Sequence, residues 1–255
     1  MLMLQRTMLR YHMSNAQNPI LENLPSLCNE ALSEITALLD EVKKYVKTQT
    51  NVDDRVNTAL LEKHQYIAHG LSWLTTYKQG LSALVNWHSN IVFNGLSSKL
   101  SELTLQIGFS EYLAQIYNGI PMSQGEFIRL EHIIENPVQG IAVKTLMRSG
   151  NSDGARKALT REIILQSSDL TYGHDGLDEE YGMIRDQFRK FVEKRISPFA
   201  HEWHLKDELI PDEIIQELGE LGVFGLTIPE EFGGFGMSKT AMCVVTEELA
   251  RGYIG

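Results

Sequence analysis

Five groupings of residues in this chain have the types and spacings that chemistry needs. The segment Gly233-Gly-Phe-Gly-Met-Ser-Lys-Thr240 comes close to a phosphate-cradling loop. Ser238 stands where such a loop needs glycine for close backbone approach, and Glu230 and Glu231 just upstream would repel a triphosphate, so the segment reads as a glycine-rich turn into a helix. His201 and His204 place two imidazoles on one helix face, a spacing that can bind metal. A zinc site needs further ligands, and only Asp207 and Glu208 lie near in sequence, which favours a solvated face. His64 and His88 fall on an apolar seam and read as core histidines rather than ligands. Trp73, Tyr77 and Trp87 could form an aromatic box, but helical spacing favours core. The pairs Glu179-Glu180 and Glu247-Glu248 could supply an acid or base, yet adjacent helix positions do not face each other, and both read as charged surface. On these grounds no residue is assigned a catalytic role.

The elements that would carry these groups are helices. With 255 residues, 43% hydrophobic and 22% charged, the chain can bury one large or two ordinary cores and is not disordered in composition. Cys28 and Cys243 are the two cysteines, which excludes a disulfide framework or a cysteine-rich metal site. A formal charge of −10 argues against nucleic acid, and no apolar run reaches the ~20 residues that span a bilayer. Residues 178–255 carry 16 acids and 8 bases, the first 177 carry 17 and 15, so two modules with different surfaces are expected.

Residues 1–19 are set apart. Met1 to Met13, with Arg6 and Arg10 and no acid, read as an over-extended start or, alternatively, a transit segment to the mitochondrial matrix. Without transit, a soluble cytoplasmic protein is expected. Over 20–167 the apolar period is helical: Leu27, Ala31, Ile35, Leu38, Val42 and Val46, then, after a start signal at Asn51-Val52-Asp53-Asp54, a seam from Leu60 to Val92. If unbroken from Asp54 to Phe93, that helix would be about 60 Å long, with Gly70 and Gly80 marking close approach or a bend. A further helix runs to Tyr117 and stops at Asn118–Pro121; Ser123-Gln-Gly-Glu126 reads as a capping box opening the next. Helices are also expected at 137–149 and 152–167. The whole forms an antiparallel helical bundle.

Residues 168–177 lose the period and read as a linker. Beyond it, Leu177 to Ile196 restarts a helix, disturbed at Ser197-Pro198. Pro211 is placed at the first position of another, which Gly222 ends. Val223–Ile228 is strand-like, and a last helix begins near Ser238 and is still running when the chain stops. The fold class expected throughout is all-α.

From Tyr181 to Gly255 the sequence resembles the N-terminal helical domain of acyl-CoA dehydrogenases. The resemblance rests on Arg185-Asp-Gln-Phe-Arg-Lys-Phe-Val192, Ile196-Ser-Pro198, Leu218-Gly-Glu-Leu-Gly-Val-Phe-Gly225, and above all Leu226-Thr-Ile-Pro-Glu-Glu-Phe-Gly-Gly-Phe-Gly236. Ala68 to Tyr77, Leu84 to Trp87 and Ile120 to Glu126 resemble the helical extension that precedes this domain in some members, most of all those acting on methylsuccinyl-CoA in the ethylmalonyl-CoA pathway. The resemblance implies FAD-dependent α,β-dehydrogenation of an acyl-CoA thioester, here giving mesaconyl-CoA, with electrons leaving through an electron-transfer flavoprotein. It also implies that the middle β-domain and C-terminal helical domain, which carry most flavin contacts and the base, are missing, so that this chain alone is inactive and does not retain FAD. What carries over is a wall of the acyl pocket at Glu247, Gly252, Tyr253 and Ile254. A homo-oligomer or a complementing domain fragment is the partner expected, with a non-catalytic interaction module or gene remnant as the alternative.

Overall fold

The computed structural model describes residues 18–123, 126–166 and 172–254. The start of the chain, Gln124-Gly125 of the expected capping box, residues 168–171 of the expected linker and Gly255 lie outside the described residues. The chain divides between Gly176 and Leu177 into two units. Both are all-α apart from two small hairpins in the first.

In the first unit, helix α1 (Leu24–Thr50) buries the stripe that its spacing dictates, from Leu24 and Cys28 through Ile35 and Val42 to Val46. The segment after it does not start a helix. Asn51-Val52 (β1) pairs antiparallel with Arg55-Val56 (β2), and Asp53 and Asp54 turn the chain at φ 49° and 58°. Two consecutive left-handed residues are what a two-residue hairpin needs, and Asp is among the few side chains that tolerate them.

The long helix expected from Asp54 is broken at His64, whose backbone leaves the helical region (φ −113°, ψ 27°). Short α2 (Thr58–Lys63) is capped by the Asn57 side chain, which accepts from the Leu60 N–H at 3.0 Å. Then α3 runs from Gln65 to Phe93 and packs on α1 and on α4 (Lys99–Asn118). Its Gly70 marks close approach: a Cβ there would lie 3.1 Å from both Ile128 and Ile133. The expected helix at Ser123 is instead the return of a second hairpin, β3 (Ile120–Ser123) against β4 (Glu126–Ile128), with Ser123 Oγ donating to Glu126 at 3.3 Å. Helix α5 (Ile141–Thr145), continued as a π turn to Gly150, and α6 (Asp153–Leu165) complete the unit. One apolar core runs from Leu24 to Leu146.

The second unit holds α7 (Glu179–Arg195), α8 (Ser197–Lys206), α9 (Asp212–Glu220) and α10 (Lys239–Gly252). Pro211 is the residue before α9 rather than its first. The strand expected at 223–228 is a 3₁₀ turn, Val223–Gly225, followed by irregular chain. Gly222, at φ 80°, lets the chain leave α9, and the returning segment bonds back without forming a ladder: Phe235 N–H to Gly225 O at 3.0 Å, Met237 N–H to Leu226 O at 2.8 Å. Helix α10 does not run through the chain end; it closes at Gly252, and Tyr253 is extended.

Candidate functional site

The four residues expected to wall an acyl pocket sit at the end of α10, and an ion cluster fixes that end. Along α10, Ala241, Val244, Val245 and Glu248 are spaced as a buried seam, so a carboxylate occupies a core position; Glu248 is 1% exposed. Such a charge is tolerable only if paired on every side. Arg189 of α7 donates two hydrogen bonds to it, at 3.1 and 2.8 Å, in the fork geometry that matches guanidinium to carboxylate. Arg251 donates at 3.0 Å from one turn further along, and Arg185 Nε stands 3.6 Å away. Burial pushes the Glu248 carboxyl up, but the Arg189 hydrogen bond and the charges of Arg189, Arg251 and Arg185 outweigh it and hold it below the usual range. Glu247, one residue earlier, is exposed and meets Arg185 Nη2 at 3.3 Å.

Gly252 is required by packing: a Cβ there would lie 2.5 Å from Val192 Cγ1 and 3.1 Å from Ile196 Cγ2, so the last turn of α10 rests directly on α7. Tyr253 then packs edge-on to the Trp203 ring, 6.0 Å between centroids, and Ile254 is 88% exposed. The structure therefore brings Gly252 and Tyr253 together on the α7–α8 surface, leaves Ile254 in solvent, and puts Glu247 more than a turn back along α10. A second exposed apolar group stands on the loop after α9, where Phe224, Ile228, Phe232 and Phe235 all face solvent.

None of the other candidate groups forms a site. Gly233 to Thr240 is a turn, with Gly233 at φ 81° and Gly236 at φ 58°; Ser238 caps α10 by accepting from the Ala241 N–H at 3.1 Å, filling the place a phosphate oxygen would take. His201 and His204 are exposed on α8, and no group of three or more metal-ligating side chains occurs among the described residues. His88 is buried, and its Nε2 makes no hydrogen bond among them; burial lowers its pKa against the pull of Glu102. His64 ends α2. Trp73, Tyr77 and Trp87 pack half-buried against the first core. Glu179 and Glu180 lie exposed in the first turn of α7. Among the described residues, no helix is long and apolar enough to cross a membrane.

The exposed side chains of Ile254, after the end of α10, and of the loop after α9 are apolar. They do not suit the phosphates of a dinucleotide, because Arg185, Arg189 and Arg251 are engaged by Glu247 and Glu248. The residue that sequence reasoning undervalued is Glu248, which it set among surface carboxylates. The signal was its place in the seam of Ala241, Val244 and Val245: it stands four residues after Val244 and three after Val245, where a core residue would stand.

Residues 178–255 match the family model described as acyl-CoA dehydrogenase, N-terminal domain, and this unit belongs to the acyl-CoA dehydrogenase family. The chain is 48% identical over 238 residues to the (2S)-methylsuccinyl-CoA dehydrogenase of Cereibacter sphaeroides, covering 93% of this chain and 43% of that protein. It is 45% identical over 78 residues to the glutaryl-CoA dehydrogenase of Desulfococcus multivorans, 30% of this chain and 20% of that one. Against the mitochondrial short-chain specific acyl-CoA dehydrogenase of Rattus norvegicus, identity is 32% over 116 residues, 44% of this chain and 26% of the relative. The chain thus spans less than half the length of these relatives.

Proposed function

We propose that this chain is the extension and N-terminal helical domain of an acyl-CoA dehydrogenase that oxidises methylsuccinyl-CoA to mesaconyl-CoA. One observation carries the choice of substrate: the similarity to (2S)-methylsuccinyl-CoA dehydrogenase runs through both units, whereas that to glutaryl-CoA dehydrogenase covers 78 residues. In this reading Gly252, Tyr253 and Ile254 border the acyl chain, with Glu247 at the rim, and their part is to exclude water and to shape the space beside the reacting carbons. FAD supplies the hydride acceptor of such a reaction, and an electron-transfer flavoprotein takes the electrons on. Neither the base nor the flavin site is assigned to residues 18–254. Turnover accordingly requires protein beyond them, with the apolar side chains of the loop after α9 and Ile254 as the surface a complementing domain would cover.

The test is the visible spectrum of the purified 255-residue chain before and after addition of methylsuccinyl-CoA. A colourless protein that gains flavin and activity only when co-expressed with the β and C-terminal domains of a related dehydrogenase supports the reading. Flavin bound by the chain alone and bleached by the thioester overturns the division of labour. A reconstituted enzyme that oxidises butyryl-CoA but not methylsuccinyl-CoA overturns the substrate.

A further inference from the structure

The dipeptide Asn-Gly occurs twice in the chain, at Asn94-Gly95 and at Asn118-Gly119. Asparagine is among the thermolabile side chains, and before glycine the backbone can modify it without an enzyme. The glycine amide nitrogen attacks the side-chain carbonyl carbon of the asparagine, and a five-membered imide closes. Ammonia leaves, carrying the proton that the nitrogen gives up. Water then opens the imide at either carbonyl, giving aspartate or isoaspartate, and in the latter the main chain runs through the former side-chain carbons. Nothing is oxidised or reduced, and water is the sole co-reactant. Glycine favours the attack because no Cβ screens its nitrogen and its backbone turns freely. By sequence the two sites are alike; by structure they differ.

Asn118 is the last residue of α4, and the chain after it is held on every side. The Gly119 N–H donates to Gln115 O at 2.8 Å, and Asn118 O accepts from Arg129 at 3.4 Å. A Cβ on Gly119 would lie within 4 Å of Phe127, Ile128 and Arg129. Ile120, the next residue, is fully buried and pairs with Ile128 across the second hairpin. Swinging the Gly119 nitrogen onto the Asn118 side chain would pull that pairing out of the first unit's core.

Asn94 stands in the opposite setting. It caps the C-terminus of α3, and residues 92–99 are all exposed. Gly95, at φ 70°, and Leu96 return their N–H groups to Val92 O and Ile91 O at 3.0 and 2.9 Å, the usual way a glycine ends a helix. A Cβ on Gly95 would meet no described residue beyond its chain neighbours within 4 Å. Solvent-exposed bonds at the end of an element open at small free-energy cost, and opening these frees the Gly95 nitrogen.

We propose that Asn94 is a site of spontaneous deamidation, and that the change loosens the turn between α3 and α4. The product places a carboxylate at the negative end of the α3 dipole, where no basic side chain of the last turn offsets it. In the isoaspartyl form the main chain also gains a carbon atom, so Gly95 and Leu96 no longer both reach Val92 and Ile91. The inference does not depend on the acyl-CoA reading.

Peptide mapping by mass spectrometry tests it, on the full chain kept folded in mildly alkaline buffer and sampled over weeks. A gain of about 1 Da is expected at Asn94, and roughly tenfold more slowly at Asn118. Methyl transfer by an isoaspartate-specific methyltransferase measures the isoaspartyl share. In urea the two sites should react at similar rates, because sequence alone then governs them. Asn94→Gln, whose longer side chain would have to close a six-membered ring, should abolish the change at that position with an unaltered circular dichroism spectrum. Hydrogen exchange at the Gly95 and Leu96 amides should quicken in the aged wild type and stay constant in aged Asn94→Gln. Asn118 changing as fast as Asn94 in the folded chain, or Asn94 left intact there, would overturn the site. Exchange at Gly95 and Leu96 unmoved by deamidation would overturn its effect on the turn.

Discussion

A buried carboxylate with three guanidinium partners makes Glu248 the most consequential residue of the second unit. Its neutralisation by Glu248→Gln removes the buried counter-charge that Arg185, Arg189 and Arg251 share. Removing one partner of a buried pair typically costs 3–5 kcal/mol; Arg251 is open enough to rehydrate, so about 3 kcal/mol is expected, read from the urea midpoint. The pH dependence has a definite sign. The native carboxyl binds its proton less tightly than the unfolded one. Its contribution is therefore whole above the ordinary carboxylate pKa of about 4.3 and drains as pH falls through the lower native value. In acid, the wild type should lose stability more steeply than the Glu248→Gln variant; parallel slopes would mean the carboxylate is not held below its ordinary range. Gly252 makes a separate, steric prediction. Its missing Cβ would press on Val192, a β-branched side chain with little rotameric freedom, so Gly252→Ala should cost about 1–3 kcal/mol. Adding Val192→Ala should recover part of that loss, and strict additivity of the two changes would show that they do not touch.

At the scale of elements, the helices were legible and the turns between them were not, for a physical reason. Apolar spacing of three and four residues reports a buried stripe directly, and it places α1, α4, α7 and α10 within a few residues. Turn residues are ambiguous because the same side chains serve two ends. Asn and Asp cap helices and also tolerate left-handed backbone, so Asn51 to Asp54 resembled a helix start and is a hairpin. Ser123 and Glu126 carry the capping-box signature, but the strand pairing of Ile120 with Ile128 governs that segment. Val223–Ile228 has strand-forming residues, yet glycines at 222 and 225 turn the chain. The partners of Glu248 were out of reach in another sense, since Arg185 and Arg189 lie some sixty positions away. The first hairpin gives this scale its own prediction. Left-handed backbone costs an L-residue roughly 1–2 kcal/mol, with Asp at the low end, and glycine nothing. Asp54→Gly should therefore stabilise the first unit by about 0.5–1 kcal/mol, as a rise in thermal midpoint; a loss would mean that the Asp54 side chain holds the turn by a contact glycine cannot replace.

At the scale of the molecule, the two units differ in how they are held. The first has one core running from Leu24 to Leu146, with the buried Gln106 donating to the Pro19 and Gly150 carbonyls and accepting from the Leu21 N–H. The second has two small clusters, one around Val192, Trp203 and Ile214, the other around Phe188, Leu226 and Val245, joined through half-buried side chains and the Glu248 ion cluster. Apolar burial scales with core size, so the second unit should unfold first, and a single cooperative transition is not expected. The three tryptophans separate the events: Trp73 and Trp87 report the first unit and Trp203 the second. In a chain carrying Trp73→Phe and Trp87→Phe, fluorescence follows Trp203 alone and should change at lower urea than the helical circular dichroism signal as a whole. Glu248→Gln should move the Trp203 transition to still lower urea while leaving the later helical transition in place. If both transitions shift together, the two units fold as one cooperative body, and the apolar loop side chains of the second unit are then engaged within this chain rather than held open for a complementing domain.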